Sequence, residues 1–301
     1  MNNTNWDEFR CRCSGINRIM SYKQGYAPLT ENQLKEVTDL EEKERTKGLT
    51  GPQKEKLTGL YAKRELSKEI VLSDSCIEYL MEVYSWETTG KVAVRKEVGI
   101  EQLEKGKDVE GDSIMLLSVV ENVFYEKNDE RVHNDFLSGE PDIFIGDNIM
   151  NASKITDIKS CYDYPSFLKK INCDLENGWK QQVQGYMDIT GATEGEIAHC
   201  LVNMTLISRE DLRKKIFFKM NVATEDNPEF KAKWEIIERS MIFDDIPMHK
   251  RVFKIPVEPF TEIERQQVYD RVKVCREWLW KFDEMYQSLN LITTLQQNAA
   301  Q

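Results

Sequence analysis

The most constraining feature of the chain is a change of apolar period between residues 105 and 204. Residues 105–120 carry an apolar stripe at helical spacing, and 131–147 and 154–160 read as strands. Residues 178–190 return to a helical pattern, and Glu196 to Met204 (EIAHCLVNM) is an apolar run of strand length. Turn residues separate the pieces at Ser138-Gly139 and Gly146-Asp147-Asn148, and Gly191 stands where a helix C-cap belongs. Helix, strands, helix and strand in that order predict an α/β core rather than separate helical and strand halves.

The flanks read as helical additions to that core. Leu29-Thr30-Glu31-Asn32-Gln33 and Leu49-Thr50-Gly51-Pro52-Gln53 each place Thr three residues before Gln, the pattern of a capping box, and predict a polar helical hairpin up to about Ser67. Ser208 to Met220 and Pro228 to Phe243 read as helices, and Lys250 to Val257 as a strand. From Thr261 to about Ile292, Val268, Val272, Cys275, Leu279, Phe282, Tyr286 and Leu289 alternate in steps of four and three. Packing of this long helix onto its own chain is the preferred reading, with a subunit interface as the alternative. The expected organisation is residues 1–95 as an N-terminal helical region packed on the core, 96–257 as the core, and 258–301 as the C-terminal helix and tail, together one structural domain.

Composition removes several function classes. With 41 Lys and Arg against 52 Asp and Glu, the net charge of −11 excludes a uniformly basic nucleic-acid binder. The charge is concentrated: residues 101–150 hold 13 acidic and four basic residues. The most apolar run, Ile114 to Val120, is too short to cross a bilayer, and the seven scattered cysteines form no zinc-ligand spacing. Reduced thiols in a cytoplasm are the expected setting.

The chemistry gathers near the predicted sheet. In a strand over Thr156-Asp157-Ile158-Lys159-Ser160, Asp157 and Lys159 leave one face together. Asp142, after Pro141, stands where a strand emerges from a turn, so the two carboxylates can meet at one end of the sheet. Convergent carboxylates repel unless a cation lies between them, and Mg²⁺ suits an all-oxygen site. A third carboxylate, Glu110, shares the apolar stripe with Ile114 and Leu117, where a charge needs a partner. Trp179, Gln182 and Tyr186 lie at i, i+3 and i+7 on the following helix, and packing on the sheet would by itself explain them. Arg213-Lys214-Lys215-Ile216-Phe217-Phe218-Lys219 interleaves bases with aromatics; a strand-tracking surface and a solvated amphipathic helix explain it equally well.

The ordered series Gly106-xxx-Glu110, Gly139-Glu-Pro-Asp142, Asp157-Ile-Lys159 and Gln182-xxx-Tyr186 resembles the PD-(D/E)XK nuclease superfamily, in the branch of phage lambda exonuclease, YqaJ and the RecB-like nucleases. Trp6-Asp-Glu-Phe-Arg10-Cys-Arg12-Cys-Ser14 is similar to the element that opens lambda-type exonucleases, and Gln182-Val183-Gln184 resembles the Gln-Val-Gln of that group. The second acidic position, often Glu in the family, is Asp157 here.

The resemblance implies a restriction-endonuclease-like fold, a mixed central sheet flanked by helices, with the N-terminal hairpin and C-terminal helix as additions. It implies a Mg²⁺-dependent DNA nuclease, with Mn²⁺ as a substitute ion: a 5′–3′ exonuclease on double-stranded ends in phage recombination or replication. A non-catalytic DNA-binding or assembly protein on the same fold is the alternative. Glu110, Asp142, Asp157 and the Ile158 carbonyl would hold metal, and Lys159 would orient or deprotonate the attacking water. Gln182 and Tyr186 would contact DNA or steady the catalytic strand. Arg10, Arg12 or Ser14 would bind a terminal 5′-phosphate, and Lys214 and Lys215 would contact DNA. RecB-like relatives with an iron–sulfur cluster carry a C-terminal group of three cysteines; Cys275 stands alone there, so no cluster is expected. DNA, a single-strand annealing protein and further copies of the chain in a ring are the partners the family implies, in a bacterial host cytoplasm if phage-encoded.

Overall fold

The computed structural model describes residues 4–91 and 109–299. Lys105 to Asp108, with Gly106 of the first motif, lie outside the described residues. The principal elements in chain order are α1 (Ile16–Ile19), α2 (Glu31–Lys47), α3 (Gly51–Leu66), α4 (Asp74–Thr89), α5 (Glu110–Glu121), β1 (Val132–His133), β2 (Leu137–Gly139), β3 (Ile143–Ile145), β4 (Lys154–Ser160), α6 (Tyr164–Ile171), α7 (Asn177–Thr190), β5 (Glu194–Cys200), α8 (Leu206–Met220), α9 (Pro228–Arg239), β6 (Val252–Val257) and α10 (Glu262–Ala299). They fall into two compact units, one of Met1–Cys11, Gly15–Ala93 and Glu262–Gln301, the other of Arg12–Ser14 and Val94–Thr261.

The first unit is helical. Helices α2 and α3 form the hairpin that the two capping sequences predict: Gln33 N–H donates to Thr30 Oγ1 at 3.3 Å while Thr30 N–H donates to the Gln33 amide oxygen at 3.1 Å. At the second start, Thr50 N–H donates to Gln53 Oε1 at 3.1 Å. The hairpin closes over a small core of Val37, Leu40, Leu57 and Leu60, and its remaining faces are charged and exposed. Helix α10 belongs to this unit, where Val268, Val272, Cys275 and Leu279 of the heptad seam are buried. Further along, Tyr286 and Leu289 are exposed, so burial of the seam is confined to its first half.

The second unit is built on a four-stranded sheet of order β3-β4-β5-β6. Strand β3 runs antiparallel to β4, with Ile143 opposite Thr156; β4 runs parallel to β5, with Asp157 opposite Ile197 and Lys159 opposite His199; β5 runs antiparallel to β6. The parallel step needs a crossover, which α6 and α7 supply. Helix α5 covers one face through Ile114, Leu116 and Leu117 against Ile143, Ile158, Ala198 and Cys200. Each such fully buried Ile or Leu contributes ~1.5–3 kcal/mol of burial free energy. The polar groups on that face are paired, with Thr156 Oγ1 donating to Glu196 Oε1 at 3.0 Å and Lys154 bridging Glu196 at 2.9 Å.

Three local outcomes differ from the sequence pattern. Residues 131–147 break into three short strands, the first two separated where Asn134 Oδ1 accepts from Phe136 and Leu137 N–H, at 2.9 and 2.8 Å, and turns the chain. The apolar run from Glu196 stops being a strand at Cys200; Leu201 N–H bonds Arg251 and Met204 N–H bonds Met241, so those apolar residues are buried outside the ladder. Helix α9 ends at Arg239 rather than Phe243, which is buried beside Cys161, Phe167 and Leu201.

Candidate active site

The site lies at the end of the sheet where β3 begins and β4 passes its midpoint. Extending the Ile143–Thr156 pairing by one residue sets Asp142 against Asp157. Asp142 Oδ2 accepts the Ile158 backbone N–H at 2.6 Å, which pins its carboxylate to β4. Alternation along β4 sends Asp157 and Lys159 to the face opposite α5, where α7 packs. There Lys159 Nζ lies 2.6 Å from Asp157 Oδ2. Gln182, on α7, donates its amide to Asp157 Oδ1 at 3.2 Å and to the Tyr186 hydroxyl at 2.8 Å.

Tyr186 explains the glycine of the Gly139-Glu140-Pro141-Asp142 segment. A Cβ on Gly139 would meet the Tyr186 ring at 2.5 Å and Cys13 Sγ at 2.9 Å, so only glycine lets β2 approach α7 this closely. Tyr186 is thereby 5% exposed, and burial, with the nearby Asp157 carboxylate, holds its hydroxyl well above the usual phenol range.

Glu110 opens α5 and takes a different partner, Lys127, at 3.2 Å. Its charge still reaches the others, raising the proton affinities of Asp142, Asp157 and Lys159. Burial and the Asp157 charge push Asp142 up to about 7, against the opposing pull of Lys159 and the Ile158 N–H. Asp157 is fully buried, and burial raises it more than Lys159 lowers it. For Lys159, burial alone would favour the neutral amine, but Asp157, Asp142 and Glu110 outweigh it and keep the ammonium. This is an excess of negative charge, buried at Asp157 and half-buried at Asp142 and Glu110, with one half-buried cation inside it.

The donor set fits a hard divalent cation: three carboxylates, one of which, Asp157 Oδ2, is buried without an aligned hydrogen bond. In this structure each carboxylate keeps its own protein partner, Lys127, the Ile158 N–H or Lys159, and no group of three His, Cys, Asp or Glu converges on one point among the described residues. A cation would therefore draw Glu110 from Lys127 and share Asp157 with Lys159.

The structure thus brings together Asp142, Asp157, Ile158, Lys159, Gln182 and Tyr186, with Glu110 electrostatically coupled to them. Arg12 and Ser14 are exposed in the second unit, and Arg10 is half-buried in the first. On α8, Lys214 pairs with Asp211 at 3.6 Å, Arg213 pairs with Glu225 at 2.8 Å, and Lys215 is exposed, so acids accompany this basic run. Sequence reasoning missed Lys127, whose only signal was its place among the few bases of an acidic stretch, and His199, an apolar-run histidine opposite Lys159.

No protein-family model matches the sequence, and no curated protein matches it. Solved structures do. A phage-related exonuclease from Haemophilus somnus 129PT superposes with a TM-score of 0.56 over 92% of this chain and 97% of that one, at 17% identity. An alkaline exonuclease from Laribacter hongkongensis gives 0.53 over 94% of both chains, at 10% identity. The chain has the phage-type exonuclease fold. The Laribacter enzyme in complex with dAMP gives 0.51 over 95% of this chain and 96% of that one, at 11% identity. The fold is therefore shared, although the two sequences in each pair have largely diverged.

Proposed function

We propose that this chain is a Mg²⁺-dependent deoxyribonuclease, an exonuclease of the lambda type that acts 5′–3′ on double-stranded DNA ends. The observation that carries the reading is the pairing of Asp142 with Asp157 beside Lys159: one buried and one half-buried carboxylate, both with raised proton affinity, and a half-buried ammonium on a sheet end. Its place within an exonuclease fold supports the same reading, as does the dAMP complex of the Laribacter enzyme.

Glu110, Asp142, Asp157 and the Ile158 carbonyl would hold the cation. A bound Mg²⁺ supplies polarisation of the scissile phosphate and a water of lowered pKa. Lys159, whose ammonium form is favoured by its carboxylate neighbours before the cation arrives, would orient or deprotonate the attacking water and offset charge on the pentavalent phosphorus. Gln182 spends its amide on Asp157 and Tyr186, so it fixes the carboxylate's orientation. Tyr186, buried against Gly139, locks α7 to β2 and holds Gln182 in place. Arg10, Arg12 or Ser14 would receive the 5′-phosphate, with Lys214 and Lys215 along the duplex.

The test is digestion of linear duplexes ending in 5′-phosphate or 5′-hydroxyl, and of circles, in Mg²⁺ and in chelator, beside Asp142→Ala and Lys159→Ala. Degradation of linear DNA in Mg²⁺ alone, lost in both variants, is expected. Cleavage of circles would overturn the exonuclease assignment, and inactivity on every DNA would overturn the nuclease one.

A further inference from the structure

Two groups next to Lys159 have no part in the scheme above. Trp179 lies one turn before Gln182 on α7 and is half-buried. His199 is the cross-strand partner of Lys159 in the parallel β4–β5 register, so their side chains leave the same face. The Trp179 and His199 rings lie 5.5 Å apart, tilted by 54°. The imidazole is 1% exposed and its Nδ1 has no hydrogen-bond partner. Burial, with the Lys170 and Lys159 charges, keeps the ring neutral, with a pKa lowered to about 4.

On its other contacts the indole meets cations. Lys159 Nζ lies 5.9 Å from the ring centroid and Lys170 Nζ 4.2 Å, and Lys170 is itself held by Glu176 at 2.5 Å. An aromatic face attracts an ammonium without taking its proton and without competing as a carboxylate would. A lysine stem otherwise has wide rotamer freedom, and an aromatic ring within cation–π reach of the head favours the rotamers that keep it in place.

We propose that Trp179, backed by His199, is a positioning residue that holds the Lys159 ammonium on Asp157. The inference rests on Lys159 being the cation of the proposed nuclease, but the placement itself is measurable without activity. Trp179 acts through Lys159 and does not touch the reacting atoms.

The experiment compares wild type, Trp179→Leu and Trp179→Phe by two readouts. The first is the rate of Lys159 acetylation by N-hydroxysuccinimidyl acetate, followed by mass spectrometry with exposed Lys214 as internal reference. Faster labelling of Lys159 in the Leu variant, with the Phe variant close to wild type, is expected; equal labelling in all three overturns the proposal. The second is steady-state digestion in Mg²⁺. Loss of positioning lowers kcat about tenfold or more while KM stays near wild type, and Phe restores it. A raised KM with unchanged kcat overturns positioning and assigns Trp179 to substrate contact. If wild-type protein proves inactive on DNA, the nuclease reading fails while the labelling readout still decides the placement. Should Trp179→Leu lose its fold, His199→Ala, which unbraces the indole without removing it, carries the same two readouts.

Discussion

Asp142→Asn should make the metal-free protein more stable at neutral pH, and the gain should vanish in acid. In the folded chain Asp142 is raised from 3.8 to about 7 by burial and by the Asp157 charge. Below pH 3.8 both folded and unfolded chains hold the proton, so the group contributes nothing. Between 3.8 and about 7 the unfolded chain releases its proton while the folded chain retains it, so stability falls as pH rises. The slope is about 1.4 kcal/mol per pH unit, and the full interval amounts to an upper limit of about 4 kcal/mol. Asparagine keeps the shape and cannot ionise. The assay is urea unfolding in chelator at pH 4, 5, 6, 7 and 8, followed by circular dichroism. Wild type should lose stability steadily across that interval, and Asp142→Asn should lose less than half as much. Addition of Mg²⁺ at pH 8 should restore wild type and do little for the variant. Parallel pH profiles for the two proteins would refute the claim that burial and the Asp157 charge raise the proton affinity of Asp142.

Other variants probe separate contacts. Gly139→Ala should destabilise the chain by ~1–3 kcal/mol and slow digestion, because its Cβ would strike the Tyr186 ring; an unchanged thermal midpoint would contradict that packing. Lys127→Met should tighten divalent-ion binding by up to about fivefold, the ~1 kcal/mol upper end for an exposed ion pair, since Lys127 competes for Glu110; calorimetric titration with Mn²⁺ reads it, and weaker binding would assign Lys127 a supporting role instead. Gln182→Leu removes the donor to Asp157 Oδ1 and should cost ~1–3 kcal/mol in urea unfolding. A cost within error would mean that solvent reaches that oxygen.

The legible parts of this molecule were those governed by period and local hydrogen bonding. The alternation through Asp157 and Lys159 assigned both to one sheet face, and Thr30 with Gln33 announced the start of α2. The i, i+3, i+7 spacing of Trp179, Gln182 and Tyr186 gave one helix face, which packs beside β4. What escaped the sequence depends on pairing between distant segments. Lys127 meets Glu110 across 17 positions, and His199 joins Lys159 through a strand register that no local pattern encodes. Gly139 looked like a turn residue, yet its requirement comes from the Tyr186 ring on a later helix. The apolar run beyond Cys200 misled because burial was achieved by loop contacts to Arg251 and Met241 instead of a ladder.

The excess of acid over base, −9 within residues 101–150 alone, also acquires a physical meaning. Part of it is exposed, and part is Glu110 and Asp142, which with Asp157 form the carboxylate group that Lys127 and Lys159 only partly neutralise. On the proposed nuclease reading, a chain of this charge would grip DNA through a bound cation and local bases rather than through its overall field.

The most direct measurement is the release of acid-soluble nucleotides from a linear 5′-phosphorylated duplex, for wild type and Asp157→Asn, in Mg²⁺ and in chelator. Release by wild type in Mg²⁺, and none in the other three reactions, is the expected result. Equal release in chelator, or an Asp157→Asn variant as active as wild type, would contradict it.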